Sequence, residues 1–198
     1  VKGRLIGALL MWKDPRLLLL IPILLFSGLQ NAVTYGDFTK QYITKTFGVS
    51  WVGFTMSGWG VMNSLCSIIF GRLSDRFGPR AICYFGAVIF ALIYGSLLLL
   101  RSTAFGQSLV GAFIWAALLG VGDSAFYSVF CPAAVSTLFI TRSEAAYSNL
   151  KLIQSLAKSF IFFIGSGISF NGKLILLLVV LVIGSFCVFC LDHFVQPL

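Results

Sequence analysis

The sequence predicts an all-α polytopic membrane protein, in which six transmembrane helices lie between two cytoplasmic termini. Its 198 residues are 59% hydrophobic and only 10% charged, and the mean hydropathy is +0.99. The apolar residues form long continuous runs, whereas the strands of a membrane β-barrel would alternate. A soluble domain of this size would have to expose large apolar patches, which soluble proteins rarely do. Lipid is therefore the expected solvent for this chain.

Six apolar runs are each long enough to cross a bilayer core of about 30 Å, which needs about 20 residues of helix. In chain order the predicted spans are Leu17–Tyr35, Val52–Phe70, Ala81–Leu100, Leu109–Phe130, Asn149–Phe170 and Leu174–Leu191. The expected organisation is a cytoplasmic segment over residues 1–16, a six-helix transmembrane domain over 17–191 and a cytoplasmic tail over 192–198.

Polar segments separate these runs. We expect Asp37–Ser50 to connect the first two helices on the outer side, and Asn171–Lys173 to form a tight turn before the last helix. Pro132 is expected to kink the fourth helix, which then continues to the membrane surface.

The distribution of positive charge predicts the orientation, because excess Lys and Arg mark cytoplasmic loops. With the amino terminus inside, most of the cations lie on the inner side, and the outer side holds only Lys40, Lys45, Arg101 and Lys173. The net charge of +8 is thereby explained by topology. No dense basic run with interleaved aromatic residues occurs, so the sequence excludes a nucleic-acid partner and leaves the lipid bilayer, in an unspecified cellular membrane.

Neither a metal site nor an enzyme is expected. One histidine, His193, lies beyond the last span, where it cannot serve as a base for an intramembrane serine. Cys187 and Cys190 have the spacing of a metal or redox pair, but no second pair accompanies them, so we interpret them as small apolar residues. The sequence indicates no cofactor.

The stretch GRLSDRFGPR, from Gly71 to Arg80, gathers charge between the second and third spans. Gly71 would permit close contact at a helix end and Gly78 would permit the tight turn. Asp75 is the one acidic residue here, and it could pair with an arginine or with a helix amino terminus. A structural clamp is therefore possible on chemistry alone.

This stretch closely resembles the signature loop of the major facilitator superfamily, which joins the second and third helices of a six-helix half. The matching residues include Gly71, Asp75, Arg76, Gly78 and Arg80, whereas Pro79 departs from the basic residue that the superfamily usually has there. We expect this loop to act as a conformational latch, in which Asp75 pairs with Arg142, at the cytoplasmic end of the fourth helix, or meets a helix end in the missing half.

A narrower resemblance, to the second half of Unc-ninety-three family proteins, covers nearly the whole chain. It rests on Leu20-Ile21-Pro22, Ser27-Gly28-Leu29-Gln30, Asp37-Phe38-Thr39-Lys40, Asn63-Ser64-Leu65-Cys66-Ser67 and Glu144-Ala145-Ala146-Tyr147-Ser148-Asn149. It implies a twelve-helix fold, whose other six-helix half is supplied by a longer chain or by a second copy. It also implies a role as a regulator of ion channels or as a trafficking partner of membrane proteins such as receptors.

Two ionisable residues fall within the predicted spans, Asp123 in the fourth and Lys158 in the fifth, at similar depths. Because charges are costly in lipid, we expect them to form an ion pair, either structural or switching. Asp37 and Lys40 are interpreted as an interfacial anchor in preference to a substrate contact.

Polar residues of the first two spans could line a central cavity or form hydrogen bonds between helices, and the sequence favours neither. They are Gln30, Asn31, Thr34 and Asn63. Small residues repeat in the second, fourth and fifth spans, as close helix packing requires. In the fourth and fifth they could alternatively form a flexible gate.

Three functions remain after these observations. The first is a non-enzymatic regulatory subunit that binds other membrane proteins through helix faces. The second is one half of a secondary transporter, with Asp123 and Lys158 coupling ions or protons. The third is a self-standing six-helix protein that dimerises.

Overall fold

The computed structural model describes residues 11–165 and 167–195. Six helices of at least 18 residues occur in this part of the chain. We number them α1 Pro15–Phe47, α2 Ser50–Phe77, α3 Pro79–Leu100, α4 Leu109–Leu138, α5 Ser143–Ile164 and α6 Phe170–His193. Two short 3-10 turns, Met11–Lys13 and Ile140–Arg142, precede α1 and α5.

Five of these helices, all except α5, are long and apolar enough to cross a membrane, by length and composition. The chain is thus a polytopic helical membrane protein in the residues that the structure describes. The predicted count of six spans is met only in part. The exception, α5, has 22 residues and sufficient length. It is less apolar than the others because it carries Glu144, Lys151 and Lys158.

The predicted end of the first helix is wrong, because α1 runs on from Tyr35 to Phe47 through the expected outer connection. Its residues Val33–Thr44 have π-helical hydrogen bonding. The chain stops being helical at Gly48, whose φ of 96° is one that side-chain-bearing residues rarely adopt. Most of Asp37–Ser50 is therefore helix.

The predicted ten-residue loop after the second helix is also much shorter in the structure. Helix α2 continues through Gly71 and Asp75 to Phe77, and α3 begins at Pro79. Gly78 alone separates them, with a φ of 84°. The expected close contact at Gly71 is wrong: a Cβ added there would meet nothing within 4 Å in the described residues, because Gly71 lies inside a helix with an open face.

The other helix ends follow from capping. The Ser169 hydroxyl accepts from the amide of Gly172 at 3.2 Å and thereby caps α6. Asn171–Lys173 therefore form the first turn of α6, and the predicted tight turn is wrong. The prediction that the fourth helix passes Pro132 is confirmed, since α4 reaches Leu138.

The helices pair in a symmetric pattern. Helix α1 packs mainly against α5 and α6, while α4 packs mainly against α2 and α3. The first helix of each consecutive triplet thus lies against the second and third helices of the other triplet. Phe26, Phe90 and Phe126 meet in the core with ring centroids 5.2–5.7 Å apart, and so join α1, α3 and α4.

Two glycines mark the closest crossings. A Cβ on Gly28 of α1 would lie 2.5 Å from the carbonyl oxygen of Gln154 in α5, and a Cβ on Gly120 of α4 would lie 2.3 Å from that of Trp59 in α2. Small residues allow such approach between membrane helices.

Helix α2 is the least covered element, with only 6% of its most apolar window buried. The small residues that repeat in the second predicted span lie on α2 and are Gly53, Ser57 and Gly60. A Cβ added to either glycine would meet nothing within 4 Å in the described residues. One broad face of the bundle therefore remains without protein contacts in the described residues.

Candidate functional site

A buried carboxylate surrounded by carboxamides joins three helices. Asp123 on α4 is 2% exposed. Its Oδ1 accepts from Gln30 Nε2 and, at 2.9 Å, from Asn31 Nδ2, both on α1. Its Oδ2 accepts from Asn63 Nδ2 of α2 at 2.6 Å. We call these four residues the carboxamide cluster. Three of the four predicted cavity residues are thus hydrogen-bonded between helices, and Thr34 is buried outside this set of donors.

The carboxamide cluster lies where two helices change their winding. Helix α1 becomes π-helical at Val33, two residues after Asn31, and α4 becomes π-helical at Ser124, directly after Asp123. Segments of π-helix frequently occur at functional sites. The Gln30 Oε1 atom is buried and has no hydrogen-bond partner in the described residues. The carboxamide cluster therefore contains one unused hydrogen-bond acceptor, the Gln30 side-chain oxygen, next to its carboxylate.

Lys158 lies against a tyrosine instead of Asp123. Its Nζ is 4.7 Å from the centre of the Tyr127 ring and 3.5 Å from the phenol oxygen. Among the described residues no salt bridge joins Lys158 to Asp123. The structure thus places both predicted residues on the facing helices α4 and α5 but does not bring their charges into contact. Three neutral amides take the place of the expected cation.

The structure contains a buried ion pair that the sequence analysis did not predict. Lys173 Nζ of α6 lies 2.6 Å from Asp37 Oδ1 of α1, and both side chains are buried or nearly so. Lys40, which was expected to accompany Asp37, is exposed. The available signal was two opposite charges at the outer ends of the first and last predicted spans. Assigning Lys173 to a turn and Asp37 to a loop concealed it.

The charged stretch Gly71–Arg80, where α2 ends and α3 begins, makes a different contact from the expected one. Arg80 Nη1 donates to both carboxylate oxygens of Asp192, at 2.9 and 2.7 Å, and so connects the start of α3 with the end of α6. Asp75 and Arg142 are both exposed, and no salt bridge joins them in the described part of the chain. Arg76 lies over the ring of its neighbour Phe77, 5.5 Å from the ring centre. Exposed pairs such as Arg80–Asp192 contribute about 0–1 kcal/mol.

Potential metal ligands do not cluster in the part of the chain that the structure describes. Within residues 11–165 and 167–195, no group of three or more His, Cys, Asp or Glu side chains could hold a metal ion. All five cysteines are free, and Cys187 and Cys190 are half-buried on successive turns of α6.

Comparison with known proteins gives consistent matches. The chain is 36% identical over 170 residues to UNC93-like protein 3 of Arabidopsis thaliana, covering 84% of this chain and 36% of that protein. It is 36% identical over 170 residues to protein unc-93 homolog A of Danio rerio, covering 85% of this chain and 36% of the relative. The chain therefore spans about a third of the length of these relatives.

A third relative carries a functional name. The chain is 31% identical over 108 residues to the Caenorhabditis elegans protein named "Putative potassium channel regulatory protein unc-93", covering 54% of this chain and 15% of that protein. No family model matches the chain. No solved structure matches it either.

Proposed function

Because this chain belongs to the UNC93-like family, we propose that it is part of a non-enzymatic regulatory or trafficking subunit of ion channels or other membrane proteins. The relative named for potassium channel regulation supports a channel as the partner. The proposed mechanism is association of helix faces within the bilayer, since no catalytic constellation was found in the sequence.

The observation that carries this proposal is the open face of α2. Gly53, Ser57, Gly60 and Ser64 recur at intervals of three and four residues and so share one side of the helix. Beside them, α2 and α4 form an apolar groove of about 680 Å³ whose lining includes Ser57 and Phe113. In lipid, helices associate by close packing of such small residues, because burial of apolar surface gives no advantage there.

We further propose that the chain forms one six-helix half of a major-facilitator-type fold, with both termini in the cytoplasm. The symmetric pairing of α1 with α5 and α6, and of α4 with α2 and α3, supports two related three-helix units. In this arrangement α5 also crosses the membrane and completes the six spans, and its Asn149 and Gln154 are buried against the other helices. The other half comes from the same longer chain or from a second copy.

The polar interior favours a second candidate function, a secondary transporter working by alternating access. The carboxamide cluster places a carboxylate and an unpaired amide oxygen deep in the bundle. Intramembrane ionisable groups commonly mark ion or substrate pathways. Uptake of a solute or ion by proteoliposomes, abolished by Asp123→Asn, would establish this function.

The experiment that tests the regulatory role compares two glycines that both face open space, Gly60 on α2 and Gly95 on α3. The full-length protein is co-expressed with potassium channels, and currents and co-purification are measured. Gly60→Leu should reduce both, because the added side chain separates α2 from its partner, while Gly95→Leu should leave both unchanged. The proposal would be contradicted if Gly60→Leu and Gly95→Leu gave equal currents and equal co-purification, or if the wild-type protein had no effect on any channel.

A further inference from the structure

Two lysines of α5 converge on one tyrosine of α4. Lys151 Nζ lies 4.4 Å from the centre of the Tyr127 ring and Lys158 Nζ lies 4.7 Å from it. The same two nitrogens are 3.3 and 3.5 Å from the Tyr127 hydroxyl. We call these three residues the lysine–tyrosine cleft. Lys151 is exposed and Lys158 and Tyr127 are half-buried, so the cleft opens to the outside of the bundle.

No carboxylate in the described residues forms a salt bridge with this cleft, although Asp123 attracts Lys158 over a longer distance. Each ammonium lies within about 6 Å of the ring centre, where the aromatic face attracts cations. The two ammonium groups nevertheless repel each other, and the repulsion grows as water is removed. No salt bridge is formed by either lysine in the described part, and the nearby Asp123 is occupied by three amides. Lys151 has one further contact, 3.4 Å to Gln154 Oε1.

We propose that the lysine–tyrosine cleft binds a phosphate monoester, from a lipid headgroup or from a small solute. A phosphate monoester carries close to two negative charges at neutral pH, which matches two ammonium groups. Lysine ammonium groups present rotatable donors, and the phenol hydroxyl adds another between them. This site is separate from the open face of α2 and does not depend on the regulatory role.

The test uses the full-length protein in phosphatidylcholine nanodiscs, with phosphatidic acid in the bilayer or inorganic phosphate in solution as the probe. Binding is measured by native mass spectrometry and by the shift in Tm. We expect wild-type protein to bind phosphatidic acid, and Lys151→Gln with Lys158→Gln to weaken binding at least tenfold, since each removes a charge-assisted contact. Lys45→Gln removes an exposed charge from α1, outside the cleft, and serves as the matched control.

Phosphatidic acid and inorganic phosphate distinguish a lipid headgroup from a small solute as the source of the phosphate. Binding of phosphatidic acid alone assigns the cleft to a lipid headgroup, and binding of both probes assigns it to a phosphate-bearing solute as well. The single variant Lys151→Gln changes an exposed side chain, so it provides a readout even where the double variant does not fold. Absence of binding to either probe, or equal binding by wild type and Lys151→Gln, would overturn the proposal.

Discussion

Lys173 of α6 forms a buried ion pair with Asp37 of α1, with 2.6 Å between Nζ and Oδ1. The same ammonium donates to the carbonyl oxygen of Gly165 at 3.1 Å, next to the connection between α5 and α6. One side chain therefore joins three parts of the bundle at the end where α1 continues beyond the predicted span.

Removing this cation should destabilise the protein strongly. Lys173→Met leaves the Asp37 carboxylate buried without its partner, which costs about 3–5 kcal/mol, whereas replacing both charges is often nearly neutral. The measurement is thermal unfolding in detergent. Asp37→Asn combined with Lys173→Met should recover much of the lost stability, and a double variant no more stable than Lys173→Met would contradict the interpretation.

The crossing of α2 and α4 should tolerate no methyl group at Gly120. Gly120→Ala places a Cβ against the Trp59 carbonyl oxygen, so the helices must separate, at a cost of about 1–3 kcal/mol. Gly60→Ala, on the open face of α2, is the control and should not lower stability. Equal Tm values for the two variants would show that the crossing is looser than the structure indicates.

Gly71 and Gly78 should respond to alanine in opposite directions. Gly78→Ala forces a side chain into a backbone with φ of 84° and ψ of 158°, a region essentially restricted to glycine, at a cost of about 1–3 kcal/mol. Gly71→Ala adds a methyl group to an open helix interior and should stabilise by about 0.5–1 kcal/mol. The measurement is the thermal unfolding of both variants in detergent. A lower Tm for Gly71→Ala than for the wild type would mean that another protein segment packs against this face of α2.

The carboxamide cluster should depend on its carboxylate. Asp123→Ala leaves the three amide donors of Gln30, Asn31 and Asn63 without their acceptor, and each buried unpaired donor costs about 1–3 kcal/mol. Asp123→Asn retains one oxygen acceptor and should lose less stability. Surface expression and Tm of the two variants give the comparison. Wild-type stability of Asp123→Ala would mean that the amides find other partners.

Helix positions were predictable and helix ends were not. The apolar runs identified the apolar part of each helix, but backbone hydrogen bonding continues into polar sequence until a residue such as glycine ends the helix. Gly48 and Gly78 were the available stop signals in the sequence. Reading the polar residues from Asp37 as the start of a loop ended α1 too early.

The candidate site was predictable in its residues but not in its pairing. Asp123, Gln30, Asn31 and Asn63 were identified because polar groups are costly in apolar spans. Their mutual contacts depend on helix rotation, which composition does not specify. Lys158 was predicted to lie at the same depth as Asp123, yet in the structure its side chain lies over the ring of Tyr127.

The helical, polytopic and UNC93-like character of this protein could be predicted from the sequence, because apolar run length dictates the solvent and ordered short motifs identify the family. The pairing of the charges could not be predicted and depends on the fold. The fold paired Lys173 with Asp37 and Arg80 with Asp192, and left Lys151 and Lys158 together on Tyr127. Short-range electrostatics and hydrogen bonds act over a few ångströms, so they are fixed only when helix rotation and crossing are fixed.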